Sequence, residues 1–406
     1  MDSRTRLVLW ALKLVDVLKL RDWLCRQLVF FPPVVSYAVY TVTLSNGTQQ
    51  HVMYLISKQF IKQQNHQSKS NVYNSSLCNH IFDQSDMYDT FHDSQQSTID
   101  YPRLILPIPP VESIEYRLNE NNSDKYHRRQ VMYDEQHYHN TVHKLLHDVT
   151  YTFEMHYLHT RLNERICCMY IGYIDADGSS SCSTTLLYHH ANSTDLGMLR
   201  AHLLDLSKRL HVNVCAYDYS GYGLSTGKAC TANTYADCDA VYQWIMQYKS
   251  AQCNTLILLG QSIGSSLAIY CSAQHNTSNT IHGVILHSPL LSGLKVLLPQ
   301  YDITQPKSYE VYNNYQLIKQ VKSPIFILHG MNDSEVSVYN SIGLSELCNT
   351  EYLYAVWLID NAGHNDIDVV HRQQYIKHIN DFITHCKQMQ SVDRSVQLGA
   401  ASVDSH

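Results

Sequence analysis

The sequence is short of charge. Asp, Glu, Lys and Arg make up 16% of its 406 residues, against about 25% in ordinary soluble domains. The formal net charge of −6 excludes the basic footprint that nucleic-acid binding requires. Glycine (15) and proline (10) are too few for a collagen-like or proline-rich chain. None of the twelve cysteines stands in a C-x-x-C pair, so a zinc ribbon or a thioredoxin-like site has no support. A disulfide scaffold is not expected of a chain long enough to build its own core. The thiols read instead as small buried hydrophobes in a reducing compartment.

Tyrosine (30) and histidine (24) fill part of the place of the missing charge, and 44% of residues are hydrophobic. In Leu7 to Phe31, Lys13, Asp16, Lys19, Asp22 and Arg26 recur at steps of three or four, on one helical face. Leu9, Leu12, Val15, Leu18, Trp23 and Leu28 cover much of the rest. These charges break the apolar run well below the roughly 20 residues of a spanning helix, and Lys13 and Asp16 spoil a signal-peptide core. Residues 1–31 are therefore expected to lie on a membrane interface, with Trp10 and Trp23 near the headgroups. Cys25 is the candidate for lipidation there. Met1-Asp2 does not allow N-myristoylation, and the C-terminal residues carry no prenylation box.

Residues 32–56 are expected to hold N-terminal strands, Tyr37–Leu44 and Gln50–Ile56, around a Ser45-Asn46-Gly47 turn. Residues 57–150, rich in Gln, Asn, Ser and His, read as a polar, disordered insertion. His137, His139, His143 and His147 fall inside it, but in so biased a composition they argue chance clustering rather than a metal site. The main domain is expected over 151–387 and a flexible tail over 388–406.

From Ile166 onward, apolar runs alternate with helical patterns. The runs are Ile166–Ile174, Thr184–Tyr188, Val212–Tyr217, Thr255–Leu259, Ile281–Leu286, Ile325–Leu328 and Tyr352–Ile359. Leu196–Leu210, Tyr235–Tyr248, Ile263–Ala273 and Asp366–Cys386 read as helices. This alternation predicts an α/β fold: a mostly parallel sheet with helices on both faces. Functional residues then belong at the carboxyl ends of the strands.

Two segments match G-x-S-x-G, around Ser225 and around Ser262. A nucleophile elbow needs a buried strand before the serine and a helix directly after it. Thr255–Leu259 and Ile263–Ala273 supply both for Ser262, whereas Ser225 sits between loops. Ser262 is therefore the expected nucleophile. In this arrangement the acid and then the histidine follow in chain order. Asp333 leaves the strand Ile325–Leu328; Asp302 and Glu335 are less well placed. His364 leaves the strand Tyr352–Ile359, whereas His371, His378 and His385 are spaced along one helical face. Backbone amides of Ile263 and of Asn192 or a neighbour, after the strand Thr184–Tyr188, are the expected oxyanion donors.

These motifs resemble the α/β-hydrolase domain-containing protein 17 family of palmitoyl-protein thioesterases. The resemblance rests on Asp195-Leu196-Gly197, Tyr217-Asp218-Tyr219-Ser220-Gly221-Tyr222-Gly223, Gly260-Gln261-Ser262-Ile263-Gly264, His287-Ser288-Pro289-Leu290 and Gly363-His364-Asn365-Asp366. Phe31-Pro32-Pro33 resembles that family's entry into the domain. It covers roughly 151–386, and 28–44 more weakly. It implies the α/β-hydrolase fold and hydrolysis of long-chain acyl thioesters on protein cysteines, with Ser262, Asp333 and His364 as the triad. It also implies no metal or organic cofactor, S-acylated membrane-associated proteins as partners, and the cytoplasmic face of plasma or endosomal membranes.

Three features depart from the family pattern. Only Cys25 stands where the family has a cysteine-rich N-terminus. His190-Ala191 replaces the usual His-Gly before the oxyanion residue, and alanine would be strained there if the position needs positive φ. The 57–150 insertion has no obvious counterpart. N-x-S/T sequons at Asn46, Asn74, Asn121, Asn192 and Asn276 read as chance, since a glycan on Asn192 would stand beside the active site. The competing readings are another serine hydrolase (lipase, esterase or peptidase) and a non-catalytic scaffold.

Overall fold

The computed structural model describes residues 30–33, 35–43, 49–55, 150–174, 182–249, 253–275, 280–304 and 310–403. The expected interfacial helix with Cys25, nearly all of the polar insertion and the Ser45-Asn46-Gly47 turn lie outside these residues.

Strands β1 (Tyr37–Thr43) and β2 (Gln49–Leu55) form an antiparallel pair. The main sheet has eight strands: β3 (Thr150–His159), β4 (Arg165–Ile174), β5 (Thr184–His189), β6 (Asn213–Tyr217), β7 (Thr255–Gln261), β8 (Ile281–His287), β9 (Ile325–Gly330) and β10 (Leu353–Ile359). Their order is β10-β9-β8-β7-β5-β6-β4-β3. β4 runs antiparallel to both neighbours, and every other pairing is parallel.

Helices α1 (Leu196–Leu210), α2 (Thr231–Tyr248), α3 (Ile263–Gln274), α6 (Tyr339–Leu347) and α8 (Arg372–Val403) are joined by the short α4 (Gly293–Leu297), α5 (Asn314–Leu317) and α7 (Ile367–Val370). β5, β6 and β9 are buried along their whole length, as apolar strands covered on both faces must be. Alternate residues divide between two cores. Leu187, Cys215, Leu258 and Ile327 join residues of α2 and α3. Leu186, Val214, Ile257 and Phe326 join residues of α1 and α8. The period-two pleat thus places one helical layer on each side. α1 starts at the N-cap Asp195, whose Oδ1 accepts the Met198 amide at 3.0 Å.

Three expectations are corrected. β3 is a strand that the apolar-run reading omits, since that reading begins at Ile166. Tyr151, Phe153 and Met155 alternate into the core, but Thr152 and Glu154 between them and His156 after them break the apolar run. Second, β9 continues through His329 and Gly330, which the sequence places in a loop. Third, the backbone of α8 runs on to Val403, so the expected tail is helical over residues 388–403. At Gln390 the helix is tied to the sheet: the Gln390 amide donates to the Asn254 carbonyl at 2.6 Å and its oxygen accepts from Thr255 Oγ1 at 2.9 Å.

Ten described cysteines are free thiols, and seven of them are buried. No helix among the described residues is long and apolar enough to cross a membrane.

Candidate active site

Ser262 sits where β7 turns directly into α3, with φ of 54°. A non-glycine residue in this region is strained and needs its surroundings to hold it. The Ser262 amide donates to the His287 carbonyl at 2.8 Å, and Ser265 Oγ donates back to the Ser262 carbonyl at 2.6 Å. The flanking glycines allow the close approach: a Cβ on Gly260 would overlap the Gly264 carbonyl, and one on Gly264 the His189 carbonyl.

The loops after β9 and β10 are stitched together. The Met331 amide donates to the Ile359 carbonyl and the Asn332 amide to the Ala362 carbonyl, each at 2.9 Å. Asp333 and His364 are thereby brought face to face, with His364 Nδ1 2.6 Å from Asp333 Oδ2. His364 Nε2 lies 2.9 Å from Ser262 Oγ. An ionised carboxylate only accepts, so Nδ1 carries the hydrogen and Nε2 faces the serine as acceptor. Asp333 Oδ1 takes the amides of Glu335 (2.9 Å) and Val336 (2.8 Å). Burial pushes the Asp333 carboxyl up, but donors from His329 and His364 outweigh it and hold it well below the usual carboxylate range.

The other candidates lie elsewhere. Ser225 Oγ donates to the Asp218 carbonyl at 2.7 Å and accepts the Cys167 amide at 2.9 Å, binding its loop to β4. Asp302 is exposed and caps Thr304. Glu335 accepts from Asn365 Nδ2 at 2.8 Å. His378 and His385 pack against Trp357 and Tyr354 of β10, with ring centroids 4.4 and 4.8 Å apart. His371 ends α7.

Ile263 is the first residue of α3, so its amide is one of those with no partner inside the helix. Asn192 follows β5. Its Oδ1 accepts from Tyr222 Oη (2.6 Å), the Phe31 amide (2.9 Å) and the Ser193 amide (3.1 Å). Two residues before Asn192, the His190 carbonyl accepts from Tyr219 Oη at 2.6 Å, and the His190 and Tyr219 rings stack with centroids 4.0 Å apart. Ala191 does not have a positive φ, so the strain considered for this departure from the family pattern is absent.

Motif reading assigns no role to Tyr219, Tyr222, Phe31 or His329. The tyrosines are visible only as part of the Tyr217–Gly223 match, and nothing in the sequence marks His329.

A family model described as serine aminopeptidase, S33, matches residues 201–317. The mouse α/β-hydrolase domain-containing protein 17C is 32% identical over 232 residues, 57% of this chain and 68% of that protein. Human α/β-hydrolase domain-containing protein 17B is 32% identical over 225 residues, 55% of this chain and 73% of that protein. An esterase of Pyrococcus furiosus is similar in structure, with a TM-score of 0.48 and 17% identity over 58% of this chain and 90% of that one. By its likeness to the mouse and human proteins, over more than two thirds of each, the chain belongs to the α/β-hydrolase domain-containing protein 17 family.

Proposed function

We propose that this hydrolase removes long-chain acyl groups from protein cysteines through a Ser262–His364–Asp333 acyl-enzyme mechanism. The observation that carries the chemistry is the unbroken hydrogen-bonded chain from Ser262 Oγ through both ring nitrogens of His364 to Asp333. Ser262 Oγ attacks the thioester carbonyl as His364 Nε2 takes its proton. Asp333 holds the tautomer and stabilises the imidazolium. The amides of Ile263 and Asn192 receive the oxyanion. The thiolate leaves and takes the proton from His364; water, activated by the same ring, then frees the fatty acid.

Family membership supports the thioester reading. Met198, Leu297, Met331, Tyr339 and Val370 are exposed on segments that leave carboxyl strand ends of the sheet, while Leu162, Tyr248, Tyr354, Val356 and Met389 are exposed elsewhere. Residues 1–31 and Cys25 would place the enzyme on the cytoplasmic face of a membrane, beside S-acylated client proteins.

The match to a serine aminopeptidase model favours a second reading, amide hydrolysis. The two are separated by offering the full chain an S-palmitoylated peptide, the matching oxygen ester and an aminopeptidase substrate. Preferred release of fatty acid from the thioester is the expected result. Preference for the amide would overturn the depalmitoylase reading.

A further inference from the structure

Asp333 carries a second imidazole. His329 Nε2 lies 3.0 Å from Asp333 Oδ2, the oxygen that also receives His364 Nδ1. The same His329 nitrogen is 2.8 Å from the Val336 carbonyl. Both neighbours are acceptors, so Nε2 must be the donor. His329 Nδ1 is 2.6 Å from Ser341 Oγ on α6, and in the neutral ring it accepts that hydroxyl's hydrogen. His329 and Ser341 are both fully buried. The ring is therefore pinned at both nitrogens, from the acid-bearing turn on one side and from α6 on the other.

We propose that His329 is a positioning residue of the triad, one that fixes the Asp333 carboxylate and shares its charge with His364. The proposal rests on the Ser-His-Asp reading above. A carboxylate oxygen shared by two donors gives less to each. Without His329, the charge of Asp333 falls wholly on His364, and the protonated ring is favoured. The carboxylate also loses the contact that holds its plane, so Ser262 is activated less often in the productive geometry.

Other ionisable groups surround the pair. Glu335 lies on the acid turn, and Asp366 accepts the Gly363 amide at 2.7 Å on the histidine loop. His287 of β8 interacts with His364, His329, His202 and Asp333. His202 of α1 is 3.3 Å from Asp368 of α7. All of these stay in place in the variants below, so a shift between them reports His329.

The test is the rate of labelling by a fluorophosphonate serine-hydrolase probe as a function of pH. It compares the full-length wild type, His329→Phe, His329→Gln and Ser262→Ala, each with a thermal melt. His329→Phe should label about tenfold more slowly, and its acid limb should move up by about half a pH unit, a roughly threefold change in the proton equilibrium. His329→Gln, which returns an N–H near the Nε2 position, should restore the limb. If His329→Phe does not fold, His329→Asn replaces it: its shorter amide does not reach Asp333, and the same shift is expected. A folded variant with a slower rate but the wild-type limb would overturn the proposal, because lost packing alone does not move it. An unlabelled wild type, or labelling that survives Ser262→Ala, would overturn the triad reading itself, and this proposal with it.

Discussion

Tyr222 donates its phenolic hydrogen to Asn192 Oδ1 across 2.6 Å. This ties the loop after β6 to the loop after β5, which holds the expected oxyanion donor. The Phe31 amide meets the same oxygen at 2.9 Å, so the point where residues 1–31 enter the domain also touches this loop.

Tyr222→Phe should slow probe labelling of Ser262 about tenfold while leaving the melting temperature within a few degrees. Removing an oxyanion donor outright costs about 10²–10³ in rate. Loosening one costs less, and a neutral hydrogen bond contributes only about 1 kcal/mol to stability. An unchanged labelling rate in the variant would show that the loop holds its position without this bond.

Ala191→Gly restores the residue usual in the family, yet it should not speed the reaction. Ala191 has no positive φ, so glycine relieves no strain there. The labelling rate should stay within about twofold, and stability should fall by up to about 1 kcal/mol from the added freedom of the unfolded chain. A clear acceleration would mean that alanine does constrain the oxyanion loop.

The two G-x-S-x-G serines should separate cleanly. Ser262→Ala should abolish labelling. Ser225→Ala should keep it but lose about 1–3 kcal/mol, because the buried Cys167 amide loses its acceptor. Denaturant melts and gel labelling of both variants measure this, and labelling that follows Ser225 would contradict the assignment.

His287 gives a pH-dependent prediction. Burial, together with the neighbouring histidines, lowers its pKa to about 3, and neither ring nitrogen has a hydrogen-bond partner. An unfolded histidine takes up its proton near pH 6.5. Between these values the unfolded state binds more protons, so this contribution is complete above about pH 6.5 and is lost as pH falls. His287→Leu escapes that loss. Its stability relative to wild type should rise by about 1.4 kcal/mol per pH unit below 6.5, or about 2 kcal/mol by pH 5. Urea melts at pH 7.5 and 5 check it; a constant difference would mean that the ring is protonated in the folded protein.

The sequence by itself determined what depends on local periodicity and steric need. The limits of α1 coincide with the apolar pattern Leu196–Leu210, because Asp195 caps one end and a left-handed His211 closes the other. The elbow at Ser262 is equally local: a buried strand, a glycine-flanked turn and a helix at once. β3 was hidden because Glu154 and His156 interrupt its apolar positions, although Tyr151, Phe153 and Met155 keep the alternation.

Only the tertiary structure decided which side-chain atoms meet. Asp333 and Glu335 are two residues apart on one turn, and it is the stitching of the β9 and β10 loops that puts Asp333 against His364. Ser225 fits the same motif as Ser262, but its hydroxyl is taken up by Asp218 and Cys167, which are close in space only through β4 and β6. His329 is one more buried strand residue until α6 and the acid turn close on its two nitrogens. Periodicity fixes which face a residue occupies; partners distant in sequence are chosen by strand order and register, which no local pattern encodes.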